Sequence, residues 1–218
     1  MSILVIIAAV LAFAWVVLRL AFALPDQVPD AVPPLPADTP DSRIGRAIAG
    51  LETAHPGLSG IQLLPDSRGS YAARVKLIRA ADVCLDVQYY IWCEDVSGRL
   101  LLDELRQAAD RGVAVRLLLD DNGIANLDDE LAALNMHENV EVRLFNPFTI
   151  RRPKVAGYLL DFFRLNRRMH NKSLTADNQM TIVGGRNIGD MYFGAGGQLQ
   201  FADLDVLAIG AIVPELAA

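Results

Sequence analysis

From Gly60 onward the chain alternates stretches with the 3.6-residue period of helices and short apolar runs with the character of strands. That alternation restricts the available folds more than any other feature. Tyr71–Ala81 reads as a helix, Val83–Trp92 as a strand, Gly98–Arg111 as a helix and Val113–Leu119 as a continuous buried strand. Leu127–Leu134 and Val140–Phe145 repeat the helix-strand pair, and a long Arg- and aromatic-containing stretch, Pro147–Arg168, follows. Strands are then expected at about Met169–Thr175 and Met180–Val183, a helix opening near Asn187, and a last strand at Leu204–Ile209. The expected class is α/β, a layered mixed sheet flanked by helices.

Ahead of this domain, Ile3–Leu24 is an apolar run broken only by Arg19 and long enough to cross a bilayer. Ala21-Phe22-Ala23 has the small-x-small form of a leader cleavage site, but no Lys or Arg precedes the run. The expectation is therefore an uncleaved anchor over 1–24, and mixed flanking charges leave its orientation open. Pro25, Pro29, Pro33, Pro34, Pro36 and Pro40 then remove donors and favour extended backbone. Residues 25–59 are expected to form a tether, with a short helix at Arg43–Ala54, and 60–218 the globular domain.

The net charge of −6 argues against a generally basic nucleic-acid binder. Cys84 and Cys93 are too few for a disulfide framework or a zinc site of the usual spacings, and their apolar surroundings predict inert buried thiols.

The sharpest motif is His170-x-Lys172, then Asp177 five residues beyond the lysine, then Gly184-Gly185-Arg186-Asn187. In a strand, alternate side chains share a face, so His170 and Lys172 are expected to converge on one site. A neutral imidazole nitrogen can attack phosphorus and split one displacement into two. Lys172 would stabilise charge on the phosphate oxygens and Asn187 would add an amide donor, while Gly184 and Gly185 would let the backbone approach the phosphate. Asp177 is expected at the turn between two strands, where a carboxylate fixes backbone. A carboxylate on the far imidazole nitrogen is also required; Asp203 and Asp205 are the candidates, with Asp205 favoured. Asp120-Asp121-Asn122 reads as a cap or turn and lies outside the catalytic set.

The His170, Lys172, Asp177, Gly184, Gly185, Asn187 pattern resembles the HKD motif of the phospholipase D superfamily. The stretches LDVQYYIW from Leu85, RGVAVRLLLDDN from Arg111, RLFNPF from Arg143, LNRRMHNKS from Leu165 and VGGRNIGDMYFGAG from Val183 are similar to bacterial cardiolipin synthases that use phosphatidylethanolamine. The resemblance covers about Gly60–Ile212 and implies a catalytic set of His170, Lys172 and Asp177 acting without metal or cofactor. It further implies that the phosphatidyl group passes to phosphatidylglycerol at the bacterial inner membrane. Such enzymes carry two HKD motifs, whereas this chain has one. A truncated first half needing a second half is expected, the alternatives being a homodimeric phosphodiesterase or nuclease and an inactive remnant. The basic and aromatic stretch from Arg151 to Arg168 suits anionic head groups as well as a plain solvated face.

Overall fold

The computed structural model describes residues 3–24, 39–195 and 201–217. It divides into two compact units, one of Pro33–Phe145 with Met169–Ala218 and one of Met1–Val32 with Asn146–Arg168.

The larger unit is a seven-stranded mixed sheet flanked by helices. Its strands are β1 (Ser59–Leu64), β2 (Cys84–Tyr89), β3 (Ala114–Asp120), β4 (Val140–Phe145), β5 (Lys172–Ala176), β6 (Met180–Gly184) and β7 (Asp205–Gly210). They lie in the order β1-β7-β6-β5-β2-β3-β4. β2, β3 and β4 run parallel, and every other pairing is antiparallel. The parallel pairs are joined through α4 (Val96–Asp110) and α5 (Asp128–Asn135), as a parallel connection requires. The antiparallel pair β5–β6 is joined by a tight turn in which Asp177 and Asn178 have positive φ, a conformation that Asp and Asn tolerate.

The central strands carry the core. Leu85 and Val87 on β2, Leu117 and Leu119 on β3, and Leu174 and Ile182 on β5 and β6 are fully or nearly fully buried with Leu101 and Leu105 of α4. Each such side chain contributes about 1.5–3 kcal/mol of transfer free energy. α2 (Arg43–Ala54), α3 (Ser67–Ala80) and α4 each start at a side-chain cap, with Ser42, Asp66 and Asp95 accepting from the N–H of Gly45, Gly69 and Gly98. Ile44 of α2 joins the core, so the packed unit reaches back before Gly60. The proline run read as a tether falls largely at 25–38, outside the described residues.

Three details depart from the sequence reading. β1 had no expected strand, because its residues are almost all exposed and lack in-out alternation. The helix expected near Asn187 is one turn, α7 (Asp190–Phe193), and opens three residues after it; a further short helix, α8 (Val213–Ala217), follows β7. β5 starts only at Lys172, so His170 stands in the loop before the strand.

The smaller unit holds α1 (Ile3–Ala21), all of it exposed, and α6 (Gly157–Leu165), which lies inside the Pro147–Arg168 stretch. α1 is long and apolar enough to cross a membrane.

Candidate active site

The site forms where β2, β3, β5 and β6 end or begin on one edge of the core. Tyr89 pairs with Lys172 in the β2–β5 ladder, which sets the lysine at the last paired position. Before that position the chain leaves the sheet because the Asp120 carboxylate, at the end of β3, accepts from the Met169 N–H at 2.9 Å. The Asn171 amide donates to Gln88 Oε1 at 2.8 Å on the opposite side of the loop. Held at both ends, His170 projects to solvent while Lys172 is buried, at 6% exposure.

The two side chains converge, as expected, though by a different route from strand alternation. Lys172 folds back on the loop, donating to the His170 carbonyl at 3.0 Å and lying 3.3 Å from His170 Nδ1. The Tyr90 ring supports both groups: its centroid is 4.7 Å from the imidazole and 5.4 Å from Lys172 Nζ. Burial pushes the Lys172 ammonium below the usual lysine range, and the Asp203 carboxylate opposes that shift. Beside Tyr90 a cavity of about 400 Å³ is lined by Ile91, Cys93, Glu94, Asn122 and Asn126 among others.

Asp177 serves the backbone. Its carboxylate accepts from the N–H groups of Asp82, Val83 and Cys84 at 2.8–3.2 Å, pinning the β5–β6 turn to the start of β2. This is the fixing role expected of a turn carboxylate, and it keeps Asp177 at the far end of β5 from His170.

Asp205 is corrected. It is fully buried and bound by Ser70 Oγ at 2.6 Å, Arg74 at 3.1 Å and Arg186 at 3.2 Å, with no contact to the imidazole. Burial alone would raise its carboxyl, but Arg74, Ser70 and the Arg186 N–H outweigh burial and hold it below the usual carboxylate range. A buried carboxylate needs partners. The sequence hides this because the decisive cation, Arg74, arrives from a helix 131 positions earlier. Asp203 is the half-buried member of the pair and the one coupled electrostatically to Lys172.

The assigned phosphate contacts also change. A Cβ on Gly184 would lie 2.2 Å from Asp205 Oδ1, and one on Gly185 would lie 1.7 Å from Asp203 Oδ1. The glycines therefore admit these two carboxylates beside β6, which accounts for them without a phosphate. Asn187 is buried; its carbonyl accepts from the Ile91 N–H at 3.0 Å and its amide donates to the Tyr192 hydroxyl at 3.0 Å. One of its two amide hydrogens remains for a ligand, so its main engagement is to hold the β2 exit.

Sequence reasoning claimed no role for Gln88 and Tyr90 and read Asp120 as a cap or turn; the Asp120 carboxylate does cap, accepting from the Asn122 N–H at 3.0 Å, and also holds Met169. Gln88 and Tyr90 alternate along β2 and beyond it toward the motif strand, and Asp120 ends a buried strand where α/β sheets gather ligands, which was the available signal. Cys84 is buried and its thiol is pushed up to about 12 by burial, as an inert cysteine should be. Among the described residues, no group of three or more His, Cys, Asp or Glu is arranged to hold a metal ion.

The chain is similar in sequence and fold to known proteins. The family described as "Cardiolipin synthase, PLD-like domain" matches residues 75–199, which include His170, Lys172, Asp177, Gly184, Gly185 and Asn187. Cardiolipin synthase C of Escherichia coli K12 is 55% identical over 175 residues, covering 80% of this chain and 37% of that protein. The chain thus spans well under half the length of this relative. Among solved structures, NucT from Helicobacter pylori superposes with a TM-score of 0.53 at 15% identity, covering 72% of this chain and 89% of that one. The phosphatidylserine synthase of Haemophilus influenzae Rd KW20 gives a TM-score of 0.53 at 16% identity, covering 71% and 34%. These last two likenesses speak for the fold alone. With a matched family domain over more than half its length and a relative 55% identical over 80% of the chain, the chain belongs to the cardiolipin synthase family of phospholipase D-like domains.

Proposed function

We propose that the chain is the first of two HKD halves of a phosphatidyltransferase and that His170 attacks the phosphorus of a phospholipid. The observation that carries this reading is the 3.3 Å approach of Lys172 Nζ to the Nδ1 of an exposed imidazole seated on Tyr90. An ammonium donates and never accepts. While it faces Nδ1, the imidazole proton belongs on Nε2; when a phosphodiester anion draws the ammonium to its oxygens, Nδ1 is released to carry the proton. Asp203, whose carboxylate is coupled electrostatically to Lys172, is the candidate to accept that N–H, leaving the Nε2 lone pair for attack.

The reaction balances in two displacements. Nε2 bonds to phosphorus as the P–O bond to the head group breaks, and the departing oxygen takes a proton from the histidine of the second half. An acceptor hydroxyl then gives its proton to that same histidine and displaces His170 from phosphorus. With phosphatidylethanolamine as donor and phosphatidylglycerol as acceptor, the products are cardiolipin and ethanolamine. The exposed apolar helix α1 would anchor the chain in the bacterial inner membrane, where both lipids reside. A nuclease reading gains nothing from the net charge of −6.

The test is reconstitution of the chain with a second HKD half in vesicles of phosphatidylethanolamine and phosphatidylglycerol. Cardiolipin should form, and His170→Ala should abolish it. Undiminished formation by His170→Ala removes this residue from the chemistry.

A further inference from the structure

The smaller unit carries a second apolar surface besides α1. In α6 and the turn before it, Val155, Leu159, Phe162 and Phe163 are exposed, Leu159 at 78% and Phe163 at 86%. Large side chains so exposed, close together on the short helical segments either side of the kink at Asp161, mark a surface built for an apolar neighbour. The same stretch, 146–168, holds six basic residues, Arg151, Arg152, Lys154, Arg164, Arg167 and Arg168, against one acidic residue, Asp161. Asp161 is paired with Arg164 at 2.6 Å, so the surplus charge is positive throughout. An apolar face rimmed by cations is the composition of a helix lying in the head-group zone of an anionic bilayer.

Its depth follows from α1. The Trp15 indole N–H donates to the Leu159 carbonyl at 3.0 Å, which places α6 level with Trp15 along the α1 axis. Ile3–Ala21 has 19 residues, about 28 Å of helix at 1.5 Å per residue, close to the roughly 30 Å hydrocarbon thickness. Trp15 lies six residues before Ala21, about 9 Å from that end of the helix. Interfacial amphipathic helices bury their apolar faces by about 5–10 Å, so the α6 level is the level such a helix occupies. Arg19, with its guanidinium 5.4 Å over the Trp15 ring, sits at the same boundary with its charge toward the end of the helix.

We infer that α6 is an interfacial membrane element: Leu159, Phe162 and Phe163 enter the upper acyl zone of an anionic phospholipid bilayer beside α1, while the exposed Arg152 and Arg167 meet the phosphates. This rests on α1 spanning the bilayer. α6 would then hold the chain at a fixed depth, which a lone anchor followed by a long proline-rich connection does not do.

The test uses the full chain in vesicles of phosphatidylglycerol and phosphatidylethanolamine. Cys93→Ser removes the half-buried thiol, buried Cys84 is left in place, and an environment-sensitive fluorophore is attached at Phe163→Cys, at Leu159→Cys or at Val10→Cys in mid-α1. All three positions are exposed, so the probes displace no packing. The expected result is deep nitroxide-lipid quenching at position 10 and shallow nitroxide-lipid quenching at 159 and 163, with aqueous iodide quenching there reduced about fivefold relative to detergent-free water. Deep quenching at 10 with full iodide access at 159 and 163 overturns the inference and leaves the anchor standing. Absence of lipid quenching at every position overturns both.

Discussion

Asp205, Arg74, Ser70 and Arg186 form a buried polar knot beneath the glycine pair, and its removal defines one prediction. Asp205→Ala leaves the Arg74 guanidinium buried without its anion and should cost about 3–5 kcal/mol in chemical denaturation. Because the folded carboxyl is held below the usual range, its contribution is complete above about pH 4, the unfolded value, and disappears as pH falls through the folded value. Asp205→Asn should therefore flatten the acid limb of the stability profile, and an unchanged limb would contradict the assignment. Lys172 titrates the other way. Burial lowers its pKa, so a charged Lys172 should be lost below the ordinary value of about 10.4, giving an alkaline decline of activity that Lys172→Arg removes. A decline that persists unshifted in the arginine variant would assign it to another group. What the sequence discloses at this scale is identity and spacing: His170, Lys172 and Asp177 are where the motif puts them. The partners of Asp203 and Asp205 are not disclosed, because i, i+2 spacing treats the two alike and only the fold brings Arg74 to one of them.

Among the elements, the loop before β5 is the one on which the proposed chemistry depends. Asp120 and Gln88 tie its two ends to β3 and β2. Asp120→Ala strands the Met169 and Asn122 N–H groups at about 1–3 kcal/mol each, and should slow turnover by about 10–100-fold through misplacement of His170. Single-turnover rates measured well below the melting temperature separate the two effects: a rate loss that vanishes there would make Asp120 purely structural. Buried strands such as β2 and β3 are legible from apolar runs interrupted mainly by Asp86 and Gln88 in β2 and by Arg116 in β3. β1 is not, since an edge strand exposed along almost its whole length has no periodicity to betray it. The true start of β5 is equally hidden, because a side-chain acceptor from another strand, and no feature of Met169 or His170, draws the backbone out of the ladder.

At the scale of the molecule, the proposed function has one HKD motif on a seven-stranded sheet supply a nucleophile and an oxyanion partner, with proton delivery to the leaving oxygen falling to a second half. The chain spans 37% of the E. coli cardiolipin synthase to which it is 55% identical. Covalent capture should therefore require only this half. The most direct measurement exposes the chain to vesicles of phosphatidylethanolamine with a chemically activated head group whose departure needs no proton, followed by quenching under alkaline conditions that preserve a P–N bond and peptide mass spectrometry. The account predicts a phosphatidyl adduct on His170, lost in His170→Ala and reduced in Lys172→Ala. An adduct on another residue, or the same yield from the His170→Ala chain, would contradict it.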